Sequence, residues 1–286
     1  MDTLYVVDGT FELFRAYHSS ESKLVNGQEV GASLGFCRNV ANLILRDKAR
    51  YIALAFDQVI ESFRNELFDG YKTGEGMPEE LWTQFPIVEK ASELMGIVTW
   101  PMRDFEADDA LATASKLYQE SFNIVICSPD KDLYQCVNER VTLLDRIRSK
   151  TIGLDEVAAK FGVGPKSIPD LLALVGDKAD GIPGIPRWGL KSSATILQEF
   201  ETIENIPHSQ DEWPKIRGQD SLFKSFMEHF EDLKLYKTLA TLRFDVPLKE
   251  SSEDLRWVSV DPGFEEFSAH TLGSTSTFES LQKLTT

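Results

Sequence analysis

The sequence predicts an α/β fold, a parallel sheet covered by helices on both faces and followed by a smaller helical region. Three observations predict it. Short, near-continuously apolar β-rich runs alternate with helical patterns as far as residue 127. Acidic residues stand at the ends of these runs. Beyond about residue 160 the strand signals fade, and helical patterns around a glycine-rich turn replace them.

The first run, TLYVVD (3–8), ends in Asp8. A helical pattern over 33–46 leads to the second, YIALAFD (51–57), which ends in Asp57. The segment 58–79 lacks a clean strand and carries Gly70, Gly74 and Gly76, which predicts a mobile cover leaving the carboxyl end of a strand. A helix over 80–95 precedes GIVTW (96–100), and a helix over 106–119 opens on EADD, with Glu106, Asp108 and Asp109 in its first turn. A helix N-terminus tolerates that negative charge. The fourth run, NIVIC (123–127), is followed by SPDKD with Asp130 and Asp132.

Next, IPDLLALVGDKADGIPGIPRWGLKSSATILQEF reads as a basic helix-turn-helix-like unit. Its turn holds Asp177 and Asp180, and Arg187, Gly189, Lys191, Ser192 and Ser193 lie at the start of its second helix. Further helices are expected over 220–242. From 247 onward the chain is polar and weakly patterned, and the closing GSTSTFESLQKLTT is expected to be loosely ordered.

The balance of 30 Lys+Arg against 46 Asp+Glu gives a formal charge of −16, which on its face argues against a polyanionic partner. Acids neutralised by divalent cations and bases gathered on one face would reverse that inference. The three cysteines, Cys37, Cys127 and Cys136, fit neither a zinc site nor a disulfide framework, and the four histidines are scattered. The start has no basic region followed by an apolar stretch, and no later run reaches the roughly 18 apolar residues of a membrane span, so a cytoplasmic, membrane-free protein is expected.

In open parallel sheets the ligand crevice lies beyond the carboxyl ends of the strands. Asp8, Asp57, Glu106, Asp108, Asp109, Asp130, Asp132, Asp177 and Asp180 are therefore expected to converge there. Taken singly, a strand-end aspartate is commonly a cap or turn residue, and EADD is a plain acidic helix start. Together, that many carboxylates cannot all ionise without cations. Oxygen ligands without His or Cys favour magnesium or manganese over zinc. Two such ions about 3.5–4 Å apart would stabilise the attacking and leaving oxygens of phosphodiester hydrolysis.

The motifs VDGT, FRNELFDGYK, EADD, SPDKDL and LVGDKADGIPGIPRWGLKSSATIL, in this order and spacing, resemble the structure-specific 5′-nuclease family. That family comprises the 5′→3′ exonuclease domain of bacterial DNA polymerase I, its stand-alone bacterial and phage relatives, and the flap endonucleases. The likeness covers roughly residues 1 to 250. It implies a PIN-like parallel-sheet nuclease core with a helical arch, at 1–160 with the arch or cover at 58–85, and a helix-three-turn-helix DNA-binding and C-terminal helical region at 161–286. It also implies magnesium-dependent hydrolysis of DNA at 5′ flaps, nicks or 5′ ends by a monomer acting as a stand-alone bacterial enzyme.

By the same resemblance, Asp8, Glu106, Asp108, Asp109 and Asp130 would surround one metal ion. Asp132, Asp177 and Asp180 would hold the second, with Asp130 near both and Asp57 acting through water. Some stand-alone relatives lack the third acidic cluster; Asp177 and Asp180 are present here, which favours two ions. Lys72 falls at the arch position where a cation meets the scissile phosphate, and Arg64 would likewise meet phosphate. The turn GIPRWGLKSS would present backbone N–H groups and Lys191 to the duplex backbone without reading sequence, and would hold a potassium ion on main-chain carbonyls. Tyr17 and Phe36 would stack on bases or pack in the core.

The chain also departs from the family pattern. Glu75 stands where many relatives have an arginine, and Arg64, Lys72 and Lys90 are the bases of the 58–93 stretch, which argues against a strand threading a basic arch. A common Gly-x-Gly has become Arg187-Trp188-Gly189, leaving Trp188 to pack against a deoxyribose or to fill the core. Competing readings are a haloacid-dehalogenase-type phosphatase, a non-catalytic DNA-structure-binding relative and an RNA-directed nuclease of the same fold. The first would need a carboxylate at Val6, the second would not need the complete acid set, and the third would not need the basic unit after 165.

Overall fold

The computed structural model describes residues 1–59, 61–74 and 76–284. Glu75, where many relatives have an arginine, lies outside the described residues. In chain order the elements begin with β1 (Thr3–Asp8), α1 (Gly9–Ser19), β2 (Leu24–Val25), β3 (Gln28–Glu29), α2 (Gly31–Leu45) and β4 (Tyr51–Asp57). Next come α3 (Phe63–Leu67), α4 (Glu79–Trp82), α5 (Phe85–Leu94), β5 (Val98–Met102), α6 (Ala107–Tyr118), β6 (Asn123–Cys127), β7 (Val141–Asp145) and β8 (Lys150–Ile152). The remainder is helical: α7 (Leu154–Phe161), α8 (Ile168–Val175), α9 (Leu190–Phe200), α10 (Gln219–Glu228), α11 (Phe230–Ala240), α12 (Gly263–Phe267) and α13 (Ser276–Gln282). Among the described residues no helix is long and apolar enough to cross a membrane.

Two compact units divide the chain, one of Met1–Ile60, Gly74–Ser128 and Phe244–Thr286, the other of Glu61–Thr73 and Pro129–Arg243. By contacts, residues 129–160 group with the second unit and the segment from Phe244 with the first.

The first unit is built on the parallel order β5-β4-β1-β6. Val6 lies opposite Ala53 on one side and Ile126 on the other, and Ala55 opposite Trp100. The apolar runs are buried on both faces as parallel strands require, with Val6, Val7, Ala53, Leu54, Ala55 and Phe56 at 0% exposure. In α6, buried Ala107 and Ala110 keep the helix side facing the strands small. A Cβ on Gly9 would overlap the Phe56 ring, so glycine lets the chain turn directly from β1 into α1.

The expected loose C-terminus is instead folded. Phe264, Leu272, Phe278 and Leu281 are buried, α13 packs on α2, and Trp257 donates from its backbone to Arg50 O at 2.7 Å and from its ring to Met95 O at 2.9 Å. These anchors are too widely spaced to produce a periodic signal, which is why the segment looks unpatterned as sequence.

In the second unit β7 and β8 form an antiparallel hairpin, where the sequence pattern indicates no strand. Its turn is capped by Asp145, whose Oδ1 accepts from Ile147 N and Arg148 N at 3.0 Å each. Helix α8 packs against α9 and α11, and α3 against α11.

Candidate metal centre and nucleic-acid interface

In the first unit the strand-end acids cap helices as well as standing at the carboxyl edge of the sheet. Asp8 closes β1 and is the N-cap of α1, its Oδ1 accepting from Phe11 N at 2.8 Å. Its Oδ2 accepts from Ser128 Oγ at 3.0 Å. Asp57 closes the neighbouring β4, and its Oδ1 accepts from Ala107 N at 2.7 Å, the first residue of α6. Glu106 is the N-cap of that helix, and Asp109 Oδ2 reaches back to Glu106 N at 3.0 Å. Glu106 and Asp109 are thus a buried pair on one helical face, and Asp108 beside them is half-buried. Parallel strands ending together at Asp8 and Asp57, and a helix start aimed at Asp57, gather these acids on one edge of one unit. Capping and metal binding are compatible uses of one carboxylate, because each oxygen offers more than one lone pair.

The second unit carries a denser cluster. Asp132, Asp177 and Asp180 each place a carboxylate oxygen within 4.8 Å of the others. Asp132 opens a short 3-10 turn, with its N–H donating to Asp130 Oδ1 at 3.0 Å. Asp177 and Asp180 lie in the turn after α8, held by reciprocal hydrogen bonds between Asp177 and Ile182 of 2.8 and 2.7 Å. Gly176 and Gly184, both at positive φ, cross so closely that a Cβ on either would collide with the other's backbone neighbourhood.

Three buried acids at this distance disfavour full ionisation. Burial pushes the Asp132 carboxyl well above the usual carboxylate range, with the charges of Asp130, Asp180 and Asp177 adding to the effect. Burial also raises Asp180, against the pull of the Lys72 ammonium. Asp132 Oδ1 is buried and meets no donor. An all-oxygen donor set with one unpartnered buried oxygen fits a hard divalent ion such as magnesium.

Two lysines attend the cluster. Lys72 Nζ lies 3.5 Å from Asp180 Oδ1, and Lys72 N donates to Asp180 O at 3.0 Å. Lys131 Nζ lies 2.5 Å from Asp177 Oδ2. Burial works against the Lys131 ammonium, yet the hydrogen bond and charge of Asp177, with Asp132 and Asp130, leave its pKa raised. Sequence reasoning singles out the aspartates of SPDKD and passes over this lysine and Ser128. The signal available was position alone, a cation between two acids and a hydroxyl directly after a strand.

Arg64, expected at phosphate, is 1% exposed. Its Nε donates to Leu239 O at 2.9 Å and its Nη2 to Thr241 O at 3.0 Å, which ties α3 to the end of α11. Phe36 is likewise buried, against Phe56, while Tyr17 is half-buried beside His18.

The turn before α9 is shaped by Arg187, whose φ of 73° is the left-handed region that favours glycine. The departure from Gly-x-Gly therefore changed the side chain and kept a glycine-type backbone. Trp188 fills the core: it is 6% exposed, packs on Trp213 and Phe226, and donates from Nε1 to Leu222 O at 3.3 Å. Gly189 is the N-cap of α9 and bonds Ser192 Oγ from its N–H at 3.1 Å. Arg187 and Lys191 are exposed, Ser192 is half-buried and Ser193 fully buried. Pro186 O, one carbonyl of the expected potassium turn, accepts from Ser225 Oγ at 2.6 Å.

Comparison with known proteins assigns both halves of the chain. Residues 3–162 match the 5′-3′ exonuclease N-terminal resolvase-like domain, and residues 163–263 the 5′-3′ exonuclease C-terminal SAM fold. The chain is 35% identical over 262 residues to the 5′-3′ exonuclease of Aquifex aeolicus (strain VF5), covering 90% of this chain and 87% of that protein. It is 32% identical over 259 residues to DNA polymerase I of Rhizobium leguminosarum, 86% of this chain and 25% of the polymerase. Among solved structures, T5 5′-exonuclease with bound divalent metal ions (zinc) shares the fold with a TM-score of 0.69 at 20% identity, over 99% of this chain and 98% of that one. The catalytic core of Rad2 in complex with DNA substrate gives 0.65 at 16% identity, over 99% and 92%.

Proposed function

The chain belongs to the 5′-3′ exonuclease family of phosphodiester-hydrolysing nucleases, and on that footing we propose that it cleaves DNA at 5′ flaps, nicks and 5′ ends with two magnesium or manganese ions. The observation that carries this reading is the buried triad Asp132, Asp177 and Asp180, with an acid oxygen that has no donor.

Asp8, Glu106, Asp108 and Asp109 of the first unit would serve one ion, with Asp57 acting through water, and Asp130, Asp132, Asp177 and Asp180 of the second would serve the other. Bound there, the ions would supply Lewis-acid stabilisation of the attacking and leaving oxygens. The protein's own groups do the placing. Backbone N–H groups that cap onto Asp8 and Asp57 fix those carboxylates before substrate arrives. Lys72 offers an ammonium to the non-bridging oxygens of the scissile phosphate, where negative charge grows in the transition state. Arg64 contributes through position, by securing the short helix that precedes Lys72.

Arg187, Gly189, Lys191 and Ser192 mark the surface proposed to meet the duplex backbone, while Ser193, fully buried, packs beneath it. Exposed bases and a helix N-terminus hold phosphate without reading sequence, so recognition would follow DNA structure rather than base order. A potassium ion on the carbonyls of the same turn belongs to this proposal, and replacing potassium with sodium tests it through duplex affinity. A monomer in the cytoplasm, acting in replication and repair, completes the reading. An end-labelled flap and nicked-duplex cleavage assay with magnesium, with and without chelator, tests it: chelator-sensitive cleavage near the junction is expected, and binding without product contradicts it.

A further inference from the structure

The contact between Lys131 and Asp177 has no part in the function proposed above, and it is unusual in where it falls. Asp177 is one of the three acids that converge within 4.8 Å, and its side chain is 1% exposed. Oδ1 accepts from Ala179 N at 2.9 Å, while Oδ2 makes no well-directed hydrogen bond and is met by Lys131 Nζ as an ion pair at 2.5 Å. Lys131 is the residue immediately before Asp132, a second member of the cluster, so the cation reaches across from one acid's neighbour to another acid. Its side chain keeps 34% exposure.

A buried carboxylate left without a partner is costly. Without metal, Lys131 on Asp177 and Lys72 near Asp180 supply two positive charges to the triad. Lys72 has a separate proposed use at the phosphate. Lys131 has none, and although Oδ2 has lone pairs for two partners, a metal ion and an ammonium held on it together would repel each other at close range.

We propose that Lys131 is the resident counter-cation of the Asp132, Asp177 and Asp180 cluster, and that a divalent cation takes this cluster only by displacing the ammonium from Asp177. Lys131 is then a positioning residue that sets metal affinity: it offsets part of the negative charge of the metal-free cluster and weakens the site for metal. Displacement costs the ion pair, and the partial exposure of Lys131 gives the released ammonium solvent to enter. The inference rests on the triad binding metal.

The test is calorimetric titration of the metal-free full chain with magnesium or calcium alone, without DNA. Lys131→Met removes the charge and keeps most of the volume, and is expected to tighten binding at this cluster about tenfold or more, with a lower melting temperature for the metal-free protein. Lys131→Arg retains a cation and is expected to stay near wild type. Equal or weaker binding by Lys131→Met overturns the proposal.

Should Lys131→Met fail to fold, amine acylation of the wild-type protein, read by mass spectrometry at Lys131, decides the matter. Added cation is expected to raise labelling at Lys131, and unchanged or lower labelling overturns the proposal. Asp177→Asn separates the two readings. If that change leaves wild-type metal binding intact, the triad is not a metal site and the two-ion reading fails. If it abolishes one binding event while Lys131→Met has no effect on affinity, the role of Lys131 alone fails.

Discussion

Lys72 is joined to Asp180 twice, through an N–H bond to the Asp180 carbonyl of 3.0 Å and through an ammonium 3.5 Å from the Asp180 carboxylate. The backbone bond fixes where the residue sits. The charge contact is longer, and the lysine side chain keeps 28% exposure. Closeness here depends on Gly181, at φ 73°, where any Cβ would collide with Gly70 O.

Lys72→Ala should keep the backbone bond and lose the cation. Cleavage of a flap substrate is expected to fall by about 10²–10³ with the fold intact, the scale of removing one oxyanion-stabilising donor. Single-turnover rates beside a thermal melt check this, and a variant of wild-type rate removes Lys72 from the chemistry.

Asp145 predicts a pH dependence of stability. Burial alone would raise its pKa, but the Arg148 N–H, the Arg148 guanidinium and the Ile147 N–H outweigh it and hold the carboxyl below the usual range. A depressed folded-state pKa contributes stability that is present above the unfolded value of about 3.9 and is lost as pH falls through the folded value. Asp145→Ala is therefore expected to cost about 1–2 kcal/mol at pH 7, and less as the pH drops below 4. Urea unfolding at pH 7 and pH 3.5 measures both, and a cost that grows on acidification contradicts the assignment.

Arg187 holds a left-handed conformation that costs a side-chain-bearing residue about 1–2 kcal/mol. Arg187→Gly is expected to relieve part of that cost, leaving the protein unchanged to about 1 kcal/mol more stable, because glycine also loses more backbone entropy on folding. Duplex binding should weaken at the same time, and the slope of log affinity against log salt should fall by about one. Denaturant unfolding and salt-dependent binding titrations separate the two effects. A large loss of stability, or an unaltered salt slope, counts against this role for the turn.

Legibility of the site from sequence tracks the range of the interactions. Asp8 and Asp57 are readable because each ends an apolar run, and strand ends are where parallel sheets place ligands. Glu106 and Asp109 are readable because a three-residue separation puts them on one helical face. The partnership of Lys131 with Asp177 spans a turn of one segment and a loop of another, and no local pattern encodes it. Arg64 shows a related gap: residue type announces a cation, and only packing reveals that backbone carbonyls take its donors. The hairpin of β7 and β8 is hard to read because β8 is three residues long and its neighbouring bases resemble a loop.

The most direct measurement compares wild type with Asp132→Asn on an end-labelled 5′-flap duplex in magnesium, each with and without chelator. Asparagine keeps the size of a buried side chain and removes its capacity to carry charge. Wild type is expected to release product near the junction and to stop with chelator, while Asp132→Asn binds the duplex but cleaves at least about 10²-fold more slowly. Equal product from the two proteins, or wild-type cleavage that survives the chelator, would contradict a two-ion nuclease built on Asp132, Asp177 and Asp180.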